Sequence, residues 1–293
     1  VYQDSARKAQ EGLSTMKIHA IQTGVVHVKS DFLRGSVAAG GTLPFLLKCF
    51  TDKAFVDLPI YAWAIEHDEG VIVVDTGDIA AEKKSFITQS TFTIAPQEQI
   101  GAQLRHLGFA PGDITKVVLT HTHADHANGV VDFPNTPILL GEAEYKAHKT
   151  AFGGFFNRLT NTLPKWFDPQ PMIFEADSSL PFERAYPLTK AGDVIAVPTP
   201  GHTGGHTSVI ARIDGISYFM AGDVTYDEQA LIEQKFQGPT ITEAGQRQTL
   251  ARVLAYTQAQ PTIYLPAHDW ESGKRLTEKR IVPMGIPATA VSS

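Results

Sequence analysis

Four times in this chain a short apolar run ends on a side chain of metal-ligand type. Val117-Val118-Leu119 leads through Thr120 into His121-Thr122-His123-Ala124-Asp125-His126. Val194-Ile195-Ala196-Val197 leads into Pro198-Thr199-Pro200-Gly201-His202, and Ile216 to Met220 into Ala221-Gly222-Asp223. Thr262-Ile263-Tyr264-Leu265 leads into Pro266-Ala267-His268. Imidazole and carboxylate suit zinc and similar divalent metals. His121 and His123 are two residues apart, so an extended strand end points both rings the same way. Asp125 and His126 follow where the chain turns, within reach of a second metal beside the first.

Bulk properties narrow the function classes. The 293 residues, 43% of them hydrophobic, suffice for one large domain with a sizeable core. We expect that domain over 16–293, after a polar stretch 1–15 that lacks a signal-peptide core. Met16 is read as a natural start behind a remnant, or Val1 as a mature N-terminus left by cleavage; the expected location is cytoplasmic. The net charge of −6 disfavours a non-specific nucleic-acid binder. No apolar run approaches the length of a membrane span. A single cysteine, Cys49, leaves no intrachain disulfide framework and reads as a core residue.

The ordered set His-x-His-x-Asp-His, followed by a distant His, Asp and His, resembles the signature of the metallo-β-lactamase superfamily, over roughly Met16 to His268. The resemblance implies that His121, His123 and His202 hold a first metal and that Asp125, His126 and His268 hold a second. It makes Asp223 the carboxylate bridging the two. Cations about 3.5–4 Å apart need such a shared anion, and between them a hydroxide is nucleophilic near neutral pH. Asp75, after Val71-Ile72-Val73-Val74, matches a position whose carboxylate orients a ligand histidine through its other ring nitrogen. Members that use a thiolate need a Cys where Asp223 stands. The implied cofactors are two divalent ions, zinc first, with iron, cobalt or manganese as alternatives. The implied fold is α/β, an αββα sandwich with the dinuclear site at the sheet edge between its halves.

This fold hosts many chemistries, so function must come from the site. Gly222-Asp223-Val224-Thr225-Tyr226 places a tyrosine three residues after the bridging carboxylate, which resembles the quorum-quenching N-acyl homoserine lactonases. A phenol there donates a hydrogen bond to a carbonyl oxygen that is gaining charge. The implied reaction is lactone ring opening by a bridging hydroxide, with Tyr226 stabilising the oxyanion and Asp125 protonating the departing alkoxide. The expected partner is a small-molecule acyl lactone; a homodimer is the assembly considered. An organophosphate or aryl-ester hydrolase is the alternative. A glyoxalase II-like thioesterase is disfavoured, because Thr225-Tyr226 stands where that group carries Leu-Phe. A non-catalytic metal-stabilised sensor is disfavoured by a complete ligand set.

The coarse pattern alternates strands and helices. Pro59–Ile65 and Gly70–Asp75 read as a hairpin, and Pro96 to Leu107 as a helix stopped by Gly108. Lys116–Leu119 reads as the strand delivering the histidine motif. Ser208–Ile213 and Ile216–Met220 read as a second hairpin around Asp214-Gly215. Thr242 to Gln258 reads as a helix and Thr262–Leu265 as a strand. Two apolar, glycine-interrupted stretches read as loops lining a pocket or pairing two subunits: 151–156 with Trp166-Phe167, and Phe32-Leu33 with Leu43 to Leu47. His19, His27, His67, His106 and His148 fit no ligand pattern. His206 is a candidate to support a ligand rather than to be one.

Overall fold

In the computed structural model, which describes residues 16–38, 40–85, 88–150, 153–154 and 160–285, strands buried on both faces carry the fold. The proposed N-terminal extension 1–15 and most of the 151–156 stretch lie outside the described residues. An eight-stranded sheet takes the order β4 (Ala81–Lys84), β5 (Thr91–Ile94), β1 (Lys17–Lys29), β2 (Phe55–Glu66), β3 (Val71–Val74), β6 (Ile114–Leu119), β7 (Ile138–Gly141), β8 (Gln170–Met172), and a six-stranded sheet the order β14 (Thr262–Pro266), β13 (Ile216–Gly222), β12 (Thr207–Ile213), β11 (Val194–Pro198), β10 (Arg184–Pro187), β9 (Glu175–Ala176). Successive residues of a strand point to opposite faces, so a continuous apolar run serves two cores at once. In β2 (Phe55–Glu66), Tyr61, Trp63 and Ile65 enter the core between the sheets, while Ala62 and Ala64 enter the core on the outer face. β13 (Ile216–Gly222) divides likewise: Tyr218 and Met220 face the other sheet, Phe219 and Ala221 face outward.

Helices cover the two outer faces. Ile100 and Leu104 of the helix Ile100–His106 pack on the first sheet, and Leu250, Val253 and Leu254 of Glu243–Ala259 on the second. Each large side chain buried this way contributes about 1.5–3 kcal/mol. The arrangement is the αββα sandwich.

Direction of travel decides where the ligands emerge. β3 (Val71–Val74), β6 (Ile114–Leu119) and β7 (Ile138–Gly141) run parallel, so the chain leaves β3 and β6 on the same side. β13 and β14 (Thr262–Pro266) also run parallel. β11 (Val194–Pro198) shares their direction, because the antiparallel strand β12 (Thr207–Ile213) separates it from β13. All five ligand-bearing or supporting strands therefore end at one edge of the sandwich.

Both expected hairpins form, with Trp63 paired to Val74 and Val209 to Met220. In the second, Asp214 (φ 51°) and Gly215 (φ 80°) are both left-handed, as a tight two-residue turn requires. The helix expected over Pro96–Leu107 is broken. A 3₁₀ turn, Pro96–Glu98, precedes Ile100–His106, and Gln99 is extended at ψ 141°. The Glu98 carboxylate folds back onto the Ala95 N–H at 2.7 Å, and the Gln103 amide donates to the Glu98 carbonyl at 2.7 Å. The Gln103 side chain thus takes the Glu98 carbonyl that a continuous helix would pair with the Ala102 N–H.

The glycine-interrupted reading of the Leu43–Leu47 stretch is corrected. Gly41 (φ 111°) ends the irregular backbone and a ten-residue helix, Thr42–Thr51, follows. Phe45 and Cys49, four apart, are buried against Phe32, Leu58 and Ile60, so Cys49 is a core residue. Leu43, Leu47 and Phe50 point outward. Phe167 packs on the outer core of the first sheet and Trp166 is 42% exposed.

Candidate metal centre

The loop after β6 supplies two of the three nitrogens of the first group. His123 is extended and caps the short helix Ala124–Ala127, its carbonyl accepting from the His126 and Ala127 N–H groups. The two rings converge as the alternation predicts, with His121 Nε2 2.9 Å from His123 Nδ1. His202, delivered by β11, brings its Nε2 to 2.9 Å from the same His123 nitrogen. The helical turn swings Asp125 and His126 the other way, toward His268 from the end of β14. His268 Nε2 lies 3.5 Å from an Asp125 oxygen.

Asp223 stands between the two groups and divides its oxygens. Oδ2 is 3.2 Å from His202 Nε2 on one side; Oδ1 is 3.1 Å from His126 Nε2 and 3.4 Å from His268 Nε2 on the other. His121, His123, His202 and Asp223 form one potential ligand group, and Asp125, His126 and His268 form a second. His19, His27, His67, His106, His148 and His206 join neither group.

Three of the rings, His121, His126 and His268, are aimed from behind. Asp75, left-handed at φ 58°, accepts from Thr120 N–H at 2.8 Å and places Oδ2 2.9 Å from His126 Nδ1. The Thr120 hydroxyl, 2.9 Å from Asp75, touches His121 Nδ1 at 3.0 Å. His268 Nδ1 donates to the Pro59 carbonyl at 2.8 Å. These contacts leave Nε2 of His121, His126 and His268 as the metal-facing nitrogen. His206 acts on the backbone: its Nε2 accepts the Asp223 N–H at 3.1 Å, while Nδ1 meets the Thr199 hydroxyl at 2.9 Å. Gly222, at φ 55°, lets the chain pass, since a Cβ there would lie 2.7 Å from that His206 nitrogen.

The charges are those of a cation site. Burial, with the neighbouring rings, pushes His121 and His202 well below the ordinary imidazole value, so both offer lone pairs. Burial likewise pushes His206 down to about 3. Burial also opposes charge on His126 and His268, yet Asp223 and Asp125 outweigh it and raise both. Burial alone would raise the Asp223 carboxyl; the His126, His268 and His202 rings instead hold it well below the usual range. His126 Nε2 and Asp223 Oδ1 are buried with no hydrogen bond, although they lie 3.1 Å apart. Buried polar atoms left without a bond are costly. Two divalent cations would satisfy both atoms, so the donor set fits them.

A sequence model of the metallo-beta-lactamase superfamily matches residues 56–268, from β2 to the last histidine of the set. The chain belongs to that superfamily. As a superfamily member with these His/Asp groups it is a metal-dependent hydrolase. A probable metallo-hydrolase of Mycobacterium bovis is 27% identical over 225 residues, covering 73% of this chain and 70% of that protein. An N-acyl homoserine lactonase of Bacillus sp. is 29% identical over 172 residues, but the match spans 62% of its length and 56% of this chain. Among solved structures, Bacillus thuringiensis AiiA with N-decanoyl-L-homoserine bound at the active site superposes with a TM-score of 0.65. That match covers 91% of this chain and 97% of the other at 21% identity, a likeness of fold. Among the described residues no helix is long and apolar enough to cross a membrane.

Sequence reasoning missed part of the support. Thr120 and Glu144 carry no motif of their own, and the Pro59 carbonyl is invisible in a side-chain pattern. Asp75 was legible because it closes an apolar strand like the ligands themselves.

Proposed function

We propose that this superfamily member opens the lactone ring of N-acyl homoserine lactones at a dinuclear centre. In this reading His121, His123 and His202 hold one ion, Asp125, His126 and His268 the other, and Asp223 both. Zinc is the proposed metal, since imidazole-rich sets with carboxylate suit it. When bound, divalent cations supply Lewis acidity and lower the pKa of water to about 7. The placement of Tyr226 carries the substrate assignment. Its ring lies edge-on to His268, centroids 4.9 Å apart, and packs with Phe32, Phe45 and Leu58. Burial and then the Asp223 and Asp125 carboxylates push its phenol well above the ordinary value, so it remains an O–H donor. The Tyr226 N–H is held by Gln237 at 2.7 Å. The hydroxyl can donate to a carbonyl oxygen that is gaining negative charge.

Asp125 would accept a proton from the attacking water and pass it to the departing ring alkoxide. Its side chain is 13% exposed, against 0–4% for His126, His268 and Asp223, so it faces the side from which a substrate enters. The open-chain N-acyl homoserine bound by AiiA is the product such a ring opening leaves, which supports the same substrate class here.

The test is a rate comparison across acyl homoserine lactones, a phosphotriester, a thioester and a β-lactam. The lactones are expected at a kcat/KM of about 10⁴–10⁸ M⁻¹s⁻¹. If the phosphotriester or thioester is turned over far faster than every lactone, the assignment is wrong. Tyr226→Phe is expected to lower kcat about 10–100-fold with metal content intact. That is less than the roughly 10²–10³ typical of a lost oxyanion donor, because a Lewis acid shares the oxygen. A merely packed tyrosine would lose nothing, since Phe keeps the ring.

A further inference from the structure

Glu144 looks in the sequence like one more solvated charge on a polar helix, Glu142–Lys149. It is only 5% exposed. A carboxylate is buried at a cost unless its oxygens are satisfied, and here three neutral donors satisfy them. Oε1 accepts the Thr122 N–H at 3.2 Å and the Thr122 hydroxyl at 2.9 Å; Oε2 accepts the Thr203 hydroxyl at 2.9 Å. Thr122 is the residue between His121 and His123, and Thr203 is the residue after His202. One carboxylate therefore spans the loop from the first sheet and the loop from the second, the two loops that supply the three converging nitrogens.

Neighbouring contacts tighten this junction. The Thr122 carbonyl accepts from the Asn161 amide at 2.7 Å, so the whole Thr122 residue is pinned. Gly205 lets the second loop lie against the helix backbone, since a Cβ there would stand 2.0 Å from the Glu144 nitrogen.

We propose that Glu144 is a positioning residue for the first metal: it clamps the His202 loop to the His121–His123 loop and so sets the spacing of their three nitrogens. The assignment rests on the reading of those histidines as a metal position. Glu144 touches neither substrate nor metal in this role.

The experiment is chelator competition, following zinc release from fully loaded protein, alongside thermal unfolding of the metal-free form. Glu144→Ala removes the clamp, and Thr203→Val cuts only the arm to the second loop at nearly constant volume. Glu144→Gln keeps a clamp, its carbonyl accepting from Thr122 and its amide donating to Thr203. In the first two variants one of two zinc equivalents is expected to weaken about 10–100-fold, the size typical of a lost outer partner of a metal ligand. The other equivalent should keep the parent's affinity, and Glu144→Gln should lie within a few-fold of the parent. Unchanged zinc affinities in Thr203→Val and Glu144→Ala, with only a lower melting temperature, would reduce Glu144 to a fold-stabilising residue and overturn the proposal. Glu144→Gln as weak as Glu144→Ala would overturn it too, in favour of charge alone. A parent protein that binds no zinc would sink the metal centre itself, which is a separate result.

Discussion

Asp223→Ala is expected to lower metal content and to reduce kcat/KM by roughly 10³-fold or more, because no remaining group can face both metal positions. The two Asp223 oxygens point to opposite ligand groups, 3.2 Å from His202 Nε2 and 3.1 Å from His126 Nε2. No other carboxylate in the centre divides in this way: Asp75 is turned toward Thr120 and the back of His126, and Asp125 lies toward His126 and His268. Asp223→Asn separates shape from charge. It fills the same space but brings an amide that donates where a cation should sit, so it should rescue folding without rescuing metal. Elemental analysis of each purified variant, beside lactone turnover, checks this. Two full equivalents of metal in Asp223→Ala would show that the carboxylate does not bridge.

Removing metal from the parent protein should have an effect of similar size. Exhaustive chelation at pH 7 is expected to lower lactone hydrolysis roughly 10³-fold or more, with recovery on adding zinc, because water without a Lewis acid ionises near 15.7 rather than about 7. The pH dependence of loading has a definite sign. His126 and His268 are raised by the Asp223 and Asp125 carboxylates against the opposing effect of burial, so in the metal-free protein they hold protons above the ordinary imidazole value of about 6.5. A metal must displace those protons. Loading should therefore release protons, and affinity should fall as pH drops through the raised values and below them. Calorimetry in two buffers of different ionisation enthalpy measures the release directly. Uptake with no proton exchange at pH 6.5 would contradict the charge state derived for this pair.

Much of the candidate site was legible in the sequence, for a local reason. Metal-ligand types that follow apolar strands are a property of a few adjacent residues, and strand ends at one sheet edge are where such residues must lie. His121 and His123 converge because an alternation of two holds over any extended backbone. The sandwich was legible for the same reason, since runs such as Val71–Val74 and Val194–Val197 have no polar face to offer water. The helix Thr42–Thr51 was not legible. Its flanking glycines and outward Leu43, Leu47 and Phe50 hide the buried Phe45–Cys49 stripe until the partners Phe32, Leu58 and Ile60 are in place.

Tertiary structure alone decided how the centre is held. Which nitrogen each histidine presents depends on what lies behind it: the Pro59 carbonyl for His268, 209 positions away in the chain, and Asp75 for His126, 51 positions away. The division of the Asp223 oxygens needs β11, β13 and β6 to meet, and the burial of Glu144 needs loops from both sheets to close over it. Composition and spacing name the donors within a segment. They carry no information about distances between segments, and those distances set hydrogen-bond partners, ring tautomers and charge states in a buried site.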